Sequence, residues 1–313
     1  MLEPKSKITQ YLHEIITNLS PNSKPKLSWK KPLSLHIIII LSFVLNIRKR
    51  FFARYLAKRS LNELRKGRRG LRALVIANGP SAKKLDLNKI KQMQANHSLD
   101  VFVINSFFKF TVNKKFKADF LVLSDPIHNP NSNLEISTML WKWVGTQENL
   151  KIICPTTWCD DFTVNKLKST KRYYFNDFES LIPTSKVNPV KPRGYLSMTV
   201  LKAIAVASTL GYEQIYLIGA DNTQYKGLSG SINNDIYLEP EHLVKNYHHV
   251  LNATKIYGCT TADFFADVSR SFFDFTFFKD LNIINLDPQS LVDVFPKSED
   301  SYFLKHKYLK TKN

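Results

Sequence analysis

Between residues 71 and 285 the chain repeats one pattern, a short continuous apolar run ended by polar or turn residues. Leu71–Ala77 closes on Asn78-Gly79-Pro80-Ser81, and Val101–Asn105 on Ser106. Phe120–Leu123 closes on Ser124-Asp125-Pro126, and Lys151–Cys154 on Pro155. Gln214–Ile218 runs into Gly219-Ala220-Asp221. Apolar runs of this length without period-two alternation predict strands buried on both faces. Helical patterning lies between several of them, at about 133–144 and at 197–210. The second is rich in Ala, Val and Leu, so it is expected to pack directly on a sheet. The 239–281 stretch reads as helical with a break near Gly258, followed by a last strand at Asn282–Asn285. Strands alternating with helices predict an α/β fold, a doubly wound and mostly parallel sheet with helices on both faces. The region after Asp221 is expected to form a helical lid. No internal repeat is visible.

Charge separates the first 70 residues from this body. Residues 1–72 carry 17 Lys and Arg against Glu3, Glu14 and Glu63, a net +14, which leaves only +5 of the total +19 for the other 241 residues. Residues 33–47 form an apolar run flanked by Lys30-Lys31 and Arg48-Lys49-Arg50. Interrupted by His36 and Asn46, it is shorter than the roughly 20 residues a spanning helix needs. It also starts too late, and lacks the small-residue cleavage site, for a signal peptide. Phe51-Phe52-Ala53-Arg54-Tyr55 then sets aromatic residues among cations, the pattern of a helix lying in a membrane interface. A hairpin of helices covering the body is the alternative. No nucleic-acid-binding motif accompanies the basicity, so nucleic acid is not expected as a partner. The expected organisation is a basic amphipathic membrane-associating arm at 1–70, one domain at 71–297 and a basic tail at 298–313. Cys154, Cys159 and Cys259 show neither an even pairing nor Cys-x-x-Cys spacing. That usage fits a reducing compartment and leaves no zinc or disulfide framework. The location expected is cytoplasmic, peripheral to the inner face of the cell membrane.

In open α/β sheets ligands sit at the carboxyl ends of the strands. That rule selects Asn78, Gly79, Pro80 and Ser81 after the first strand and Asn105 after the second. It also selects Ser124 and Asp125 after the third, and Gly219 and Asp221 after the Gln214–Ile218 strand. Gly79 is expected to let backbone approach a ligand closely, and Ser81 to offer a hydroxyl and an N–H to phosphate near a helix start. The Asn105 amide can donate to and accept from a sugar or a base edge. Asp221 either contacts the ligand or organises the turn after Gly219. No Gly-x-x-x-x-Gly-Lys-Ser/Thr loop and no Gly-x-Gly-x-x-Gly fingerprint occurs, which argues against a P-loop kinase or a dinucleotide oxidoreductase. There is no Asp-x-Asp triplet, and no metal site is expected. Phe264-Phe265, Phe272-Phe273 and Phe277-Phe278 recur at roughly helical intervals and read as core or as the wall of an acceptor site.

Three stretches taken together resemble a known family. They are Leu74–Ser81, Val101–Asn105, and Leu210-Gly211-Tyr212-Glu213-Gln214 through Asp221. They are similar to the small bacterial sialyltransferases of glycosyltransferase family forty-two. They are similar also to a broader group of polysaccharide-locus transferases, or hydroxymethylpterin diphosphokinase-like proteins, whose closing motif resembles Asn285–Pro296. The resemblance spans about residues 71–297 and implies a Rossmann-like catalytic domain. It implies a CMP-activated donor of a sialic-acid-like sugar held by Asn78, Gly79, Ser81 and Asn105, with Ser197 or Thr199 as a further nucleotide contact. The donor is a substrate, and no cofactor is implied. His242 matches the family's general base, with His248 and His249 as rivals. The family's phosphate-holding tyrosines are replaced by Asn222 and Thr223 at the nearest positions, so Tyr225 or Tyr237 would supply the phenol. Phenol and backbone N–H groups can stabilise the departing phosphate without a metal. A histidine titrating near neutrality can take the acceptor's hydroxyl proton, and direct attack inverts the anomeric centre. The implied partners are the nucleotide-sugar donor and a glycan or glycolipid acceptor, and a homo-oligomer is compatible with the sequence. Two alternatives stay open: a pterin-type diphosphokinase using ATP and Mg²⁺, and a non-catalytic nucleotide-binding protein.

Overall fold

A computed structural model describes residues 47–66, 71–111, 116–160, 171–178, 187–192, 198–239, 251–252 and 260–299. The expected contacts Ser197, His242, His248 and His249, the apolar run through residue 46, Cys259 and the tail from residue 300 lie outside these residues.

Helix α1 (Ile47–Arg65) precedes strand β1 (Arg72–Ile76) and helix α2 (Leu87–Ala95). Strand β2 (Leu99–Ile104), the short helix α3 (Phe108–Thr111), strand β3 (Phe120–Val122) and helix α4 (Glu135–Gly145) follow. Next come strands β4 (Lys151–Pro155) and β5 (Arg172–Phe175), helix α5 (Thr199–Leu210) and strand β6 (Gln214–Ile218). Strands β7 (Leu228–Gly230), β8 (Ile236–Leu238) and β9 (Leu251–Asn252), helix α6 (Thr261–Phe275) and strand β10 (Ile283–Asn285) complete the described chain.

Seven strands form one parallel sheet in the order β10-β6-β1-β2-β3-β4-β5. The expected α/β fold is therefore present, and its strand order reverses beside β1. From β1 the chain builds outward to β5, then returns to lay β6 on the other side of β1. Alternate residues of each strand point to opposite faces. Ala73, Val75, Phe102, Ile104 and Leu217 pack under α5 and the buried edge of α1. Leu74, Ile76, Val101, Val103 and Ile218 pack under α2 and α4, with Ile90, Leu140 and Trp141 from those helices. With both faces covered, the strands can be apolar along their whole length, which is why they read as unbroken runs.

Three features differ from the sequence reading. The Arg-Tyr-Tyr-Phe strand β5 went unrecognised, because Arg172 and two tyrosines do not make an apolar run. Residues 239–281 are not continuously helical: β9 lies within them and pairs with β8. Among the described residues after Asp221, β7, β8 and β9 form a small antiparallel sheet in the order β7-β8-β9, and α6 begins at Thr261. Finally α1, grouped by composition with the arm, lies on β5 and α5 and buries Ala53, Ala57, Leu61 and Leu64.

Candidate functional site

The site lies along the carboxyl edge of the parallel sheet, where loop backbone N–H and C=O groups have no ladder partners. Its two halves differ.

On the β1–β6 side the loops are bound to each other. Ala77 N donates to Ile218 O at 2.8 Å, and Gly79 N to Gly219 O at 2.8 Å. Ser81 N donates to Asp221 Oδ2 at 3.3 Å, while Gly219 N donates to Ser81 Oγ at 3.0 Å. A Cβ on Gly79 would sit 1.8 Å from Asp221 Oδ2 and 2.4 Å from Gly219 O. Gly79 thus lets one loop approach another, a use that accounts for the glycine without a ligand. Gly219 has φ +77°, and its Cβ would lie 2.3 Å from Ala77 O. Ser81 is buried, with its N–H and hydroxyl both engaged within the protein, and Pro80 opens the 3₁₀ turn at 80–84.

The C-terminal motif seals this half. Leu286 N donates to Leu217 O at 2.8 Å and Ser290 Oγ to Ala220 O at 2.8 Å. Asp287 is buried against Asp221 and takes a 3.3 Å ion pair from Lys84. Burial, reinforced by hydrogen bonding to Asp287, raises the Asp221 carboxyl to about 6. A second carboxylate close by disfavours ionisation of the first, so Asp221 keeps its proton into the mildly acidic range.

The half formed by β1, β2, β3 and the start of α5 has polar atoms to spare. Ile76 pairs with Val103, and Asn78 and Asn105 each follow two residues further on, beyond the ends of β1 and β2. Asn105 has a left-handed backbone, φ 43°. Asparagine tolerates that conformation, and here it breaks the strand alternation and delivers the amide to α5. Asn105 Nδ2 donates to Thr199 Oγ1 at 2.9 Å, and Ser124 Oγ lies 2.6 Å from the same hydroxyl. Thr199 is the first residue of α5, whose start at Met198 has no side-chain cap. The positive end of the helix dipole therefore faces this cluster. The amide oxygens of Asn78 and Asn105 are both buried without a hydrogen-bond partner. A buried acceptor left unsatisfied is costly, of the order of 1–3 kcal/mol, and the Asn105 acceptor lies at the start of α5, a cradle able to take a group that brings a donor.

Sequence reasoning missed His128. It is 1% exposed, with Nε2 3.0 Å from Ser106 Oγ and Nδ1 unpartnered. Burial lowers its pKa to about 4, with Asp125 acting in the opposite direction, so the ring is neutral at physiological pH. Asp125 caps the 3₁₀ turn that carries this histidine, accepting from Ile127 N at 3.2 Å. The available signal was a Ser-Asp-Pro-x-His run at a strand end. Nothing in spacing, however, linked it to Ser106, which lies 22 residues earlier.

The structure thus brings Asn105, Ser124 and Thr199 together, leaves Asn78 at the end of β1 with an unpartnered amide oxygen, and groups Gly79, Ser81, Gly219 and Asp221 in the sealed half. Tyr225 and Tyr237 lie in the β7–β9 region, on the turn before β7 and on β8, and neither is hydrogen-bonded to the cradle. Among the described residues no group of three or more His, Cys, Asp or Glu side chains could hold a metal ion.

Fold and strand order together define an open, parallel α/β protein whose strand order reverses beside β1. No protein-family model and no curated protein matches the chain. Among solved structures, the MAf glycosyltransferase from Magnetospirillum magneticum AMB-1 is similar to it over 96% of this chain and 48% of that one. The identity is 14% and the TM-score 0.44, a likeness that speaks to neither substrate nor activity. The chain spans about half the length of that protein.

Proposed function

We propose that this protein is a glycosyltransferase that takes its nucleotide-sugar donor at the carboxyl edge of β1, β2 and β3. One observation carries the reading: the amide oxygen of Asn105 is buried without a partner while its Nδ2 binds Thr199, the hydroxyl at the start of α5 that also meets Ser124, and Asn78 at the end of β1 holds a second unpartnered amide oxygen. Amide oxygens call for N–H or O–H donors, and a helix start calls for negative charge. A nucleotide-sugar has both, in its base amino or sugar hydroxyl groups and in its phosphate. By the family resemblance the donor is CMP-linked and carries a sialic-acid-like sugar, with a surface glycan or glycolipid precursor as acceptor. His242 then takes the proton from the acceptor hydroxyl as its oxygen bonds to the anomeric carbon. The bond to the CMP phosphate breaks, and the configuration inverts. Tyr225 or Tyr237 is the candidate hydroxyl for the departing phosphate, and no metal enters the step.

The test is a thermal-shift series on the full chain with CMP, CDP, UDP, GDP and ATP, each with and without Mg²⁺. A ligand at a hundred times its Kd adds roughly 2.7 kcal/mol to the stability of the state that binds it. Stabilisation by CMP without metal supports the reading, and a CMP-sugar then becomes the substrate to assay with and without His242→Ala. Stabilisation by ATP with Mg²⁺ alone would replace it with the diphosphokinase reading. A response to no nucleotide would overturn both.

A further inference from the structure

Helix α1 has two opposite faces. At 100° per residue, Ala53, Ala57, Ser60, Leu61 and Leu64 form one stripe, and all five are buried against the body. Diametrically opposite stand Phe51, Phe52 and Tyr55, which are 67%, 54% and 61% exposed. Among the described residues nothing covers these three aromatic side chains on one turn of the helix, which buries its apolar stripe on the opposite side. Arg48, Lys49, Arg54, Lys58 and Arg59 surround them, all exposed. The one acid of α1, Glu63, lies in its second half, exposed, with its carboxylate accepting from the Tyr173 hydroxyl at 3.2 Å. The outward face is therefore aromatic at its centre and cationic around it.

The same contacts orient the helix. Glu63 meets Tyr173 near the start of β5, while the Arg50 guanidinium lies 5.2 Å from the ring centre of Phe178, beyond the end of β5. α1 thus runs antiparallel to the strands, and its aromatic first half sits at the carboxyl edge of the sheet, the edge that also carries Asn105 and Thr199.

We infer that the outward face of α1 docks on an anionic phospholipid surface, aromatic rings at the headgroup level and cations on the phosphates, and so holds the carboxyl edge of the sheet toward the membrane. Charge complementarity selects this occupant, because each Lys or Arg near an anionic bilayer favours binding while aromatic rings partition into its interface. A nucleic-acid duplex would use the cations but, with its bases already stacked inside, leave the three rings uncovered, and no nucleic-acid-binding motif accompanies them. The docking stands apart from the choice of donor. Only its consequence, delivery of a membrane-borne acceptor to the cradle, rests on the transferase reading.

Sedimentation of the full chain with vesicles tests it, comparing phosphatidylcholine alone with phosphatidylcholine containing phosphatidylglycerol. The expected result is binding to the anionic vesicles that weakens with added salt. Changing Phe51→Ser, Phe52→Ser and Tyr55→Ser together is expected to lower the partition by about tenfold or more. Its melting temperature and nucleotide-induced shift should stay as in the parent, since the buried stripe is untouched. Arg48→Gln, Arg54→Gln and Lys58→Gln together should remove the preference for phosphatidylglycerol. Equal binding to neutral and anionic vesicles would overturn the inference, as would an aromatic variant that binds like the parent. It would equally fail if RNA displaced the vesicles, which assigns the cations to nucleic acid. A dimer in size-exclusion chromatography that the aromatic variant dissociates, with no vesicle binding, would assign the face to a second copy instead.

Discussion

The β1–β6 crevice and the β1–β2–β3 edge are built from the same material, short polar loops following buried parallel strands, yet they end in opposite states. In the crevice each loop satisfies its neighbour: Gly79 on Gly219, Ser81 on Asp221, and the 286–291 segment on the β6 loop, with Asp287 reaching Lys84 after β1. On the other side the loops stop short, and the Asn78 and Asn105 oxygens remain unpaired. The topological reversal alone therefore does not locate a ligand. It creates a row of loop ends, and the residues that follow decide which part of the row is closed by protein.

The sharpest way to break this comparison is to prise open the sealed half. Gly79→Ala puts a methyl group onto Asp221 and Gly219, and the destabilisation expected is about 3 kcal/mol or more, read by urea unfolding. A smaller loss would mean the two loops are separable.

The halves also carry buried titrating groups with opposite signs. In the folded chain Asp221 holds its proton up to about 6, whereas unfolded it releases it near 3.8. The folded state binds the extra proton in that window, so this contribution is lost as pH rises from about 4 to 6. His128 stays neutral down to about 4, while the unfolded histidine protonates near 6.5. Its contribution is present above 6.5 and is lost as pH falls toward 4. Melting between pH 4 and 8 should therefore show Asp221→Asn losing more stability on acidification than the parent, and His128→Gln losing less. Each difference should be up to about 3 kcal/mol. Identical profiles for all three proteins would remove both assignments.

Binding should distinguish the halves at a smaller energy. Asn105→Asp keeps the shape and the tolerance for positive φ but sets a negative charge at the start of α5. Nucleotide affinity is expected to fall about ten- to a hundredfold by titration calorimetry, with the fold retained. The least effect is expected from Thr199→Val, which leaves Asn105 and Ser124 without their shared hydroxyl and should cost about 1 kcal/mol in unfolding.

Much of the fold was legible. β1, β2, β3, β4 and β6 lie within one or two residues of the apolar runs that predicted them, because strands covered on both faces have no polar side to hide the signal. β5 escaped because its tyrosines carry hydroxyls, one of which reaches Glu63 on α1. β7, β8 and β9 escaped because a short surface hairpin needs only pairing and little apolar content. Asn105, Ser124 and Thr199 were picked out separately as strand-end or resemblance residues. Their meeting through one hydroxyl was not visible, since 75 residues separate Ser124 from Thr199.

By itself the sequence determined the alternation of strand and helix, the concentration of polar residues at strand ends and the gathering of charge before residue 72. These follow from local pattern and composition, which need no knowledge of neighbours. Only the tertiary structure decided that β6 returns beside β1, that Gly79 and Ser81 serve Asp221 rather than open space, and that α1 lies on the body with its aromatic residues outward. Each of those depends on contacts between residues far apart in the chain, and a hydrogen bond or a buried face exists only once both partners have been brought to the same place.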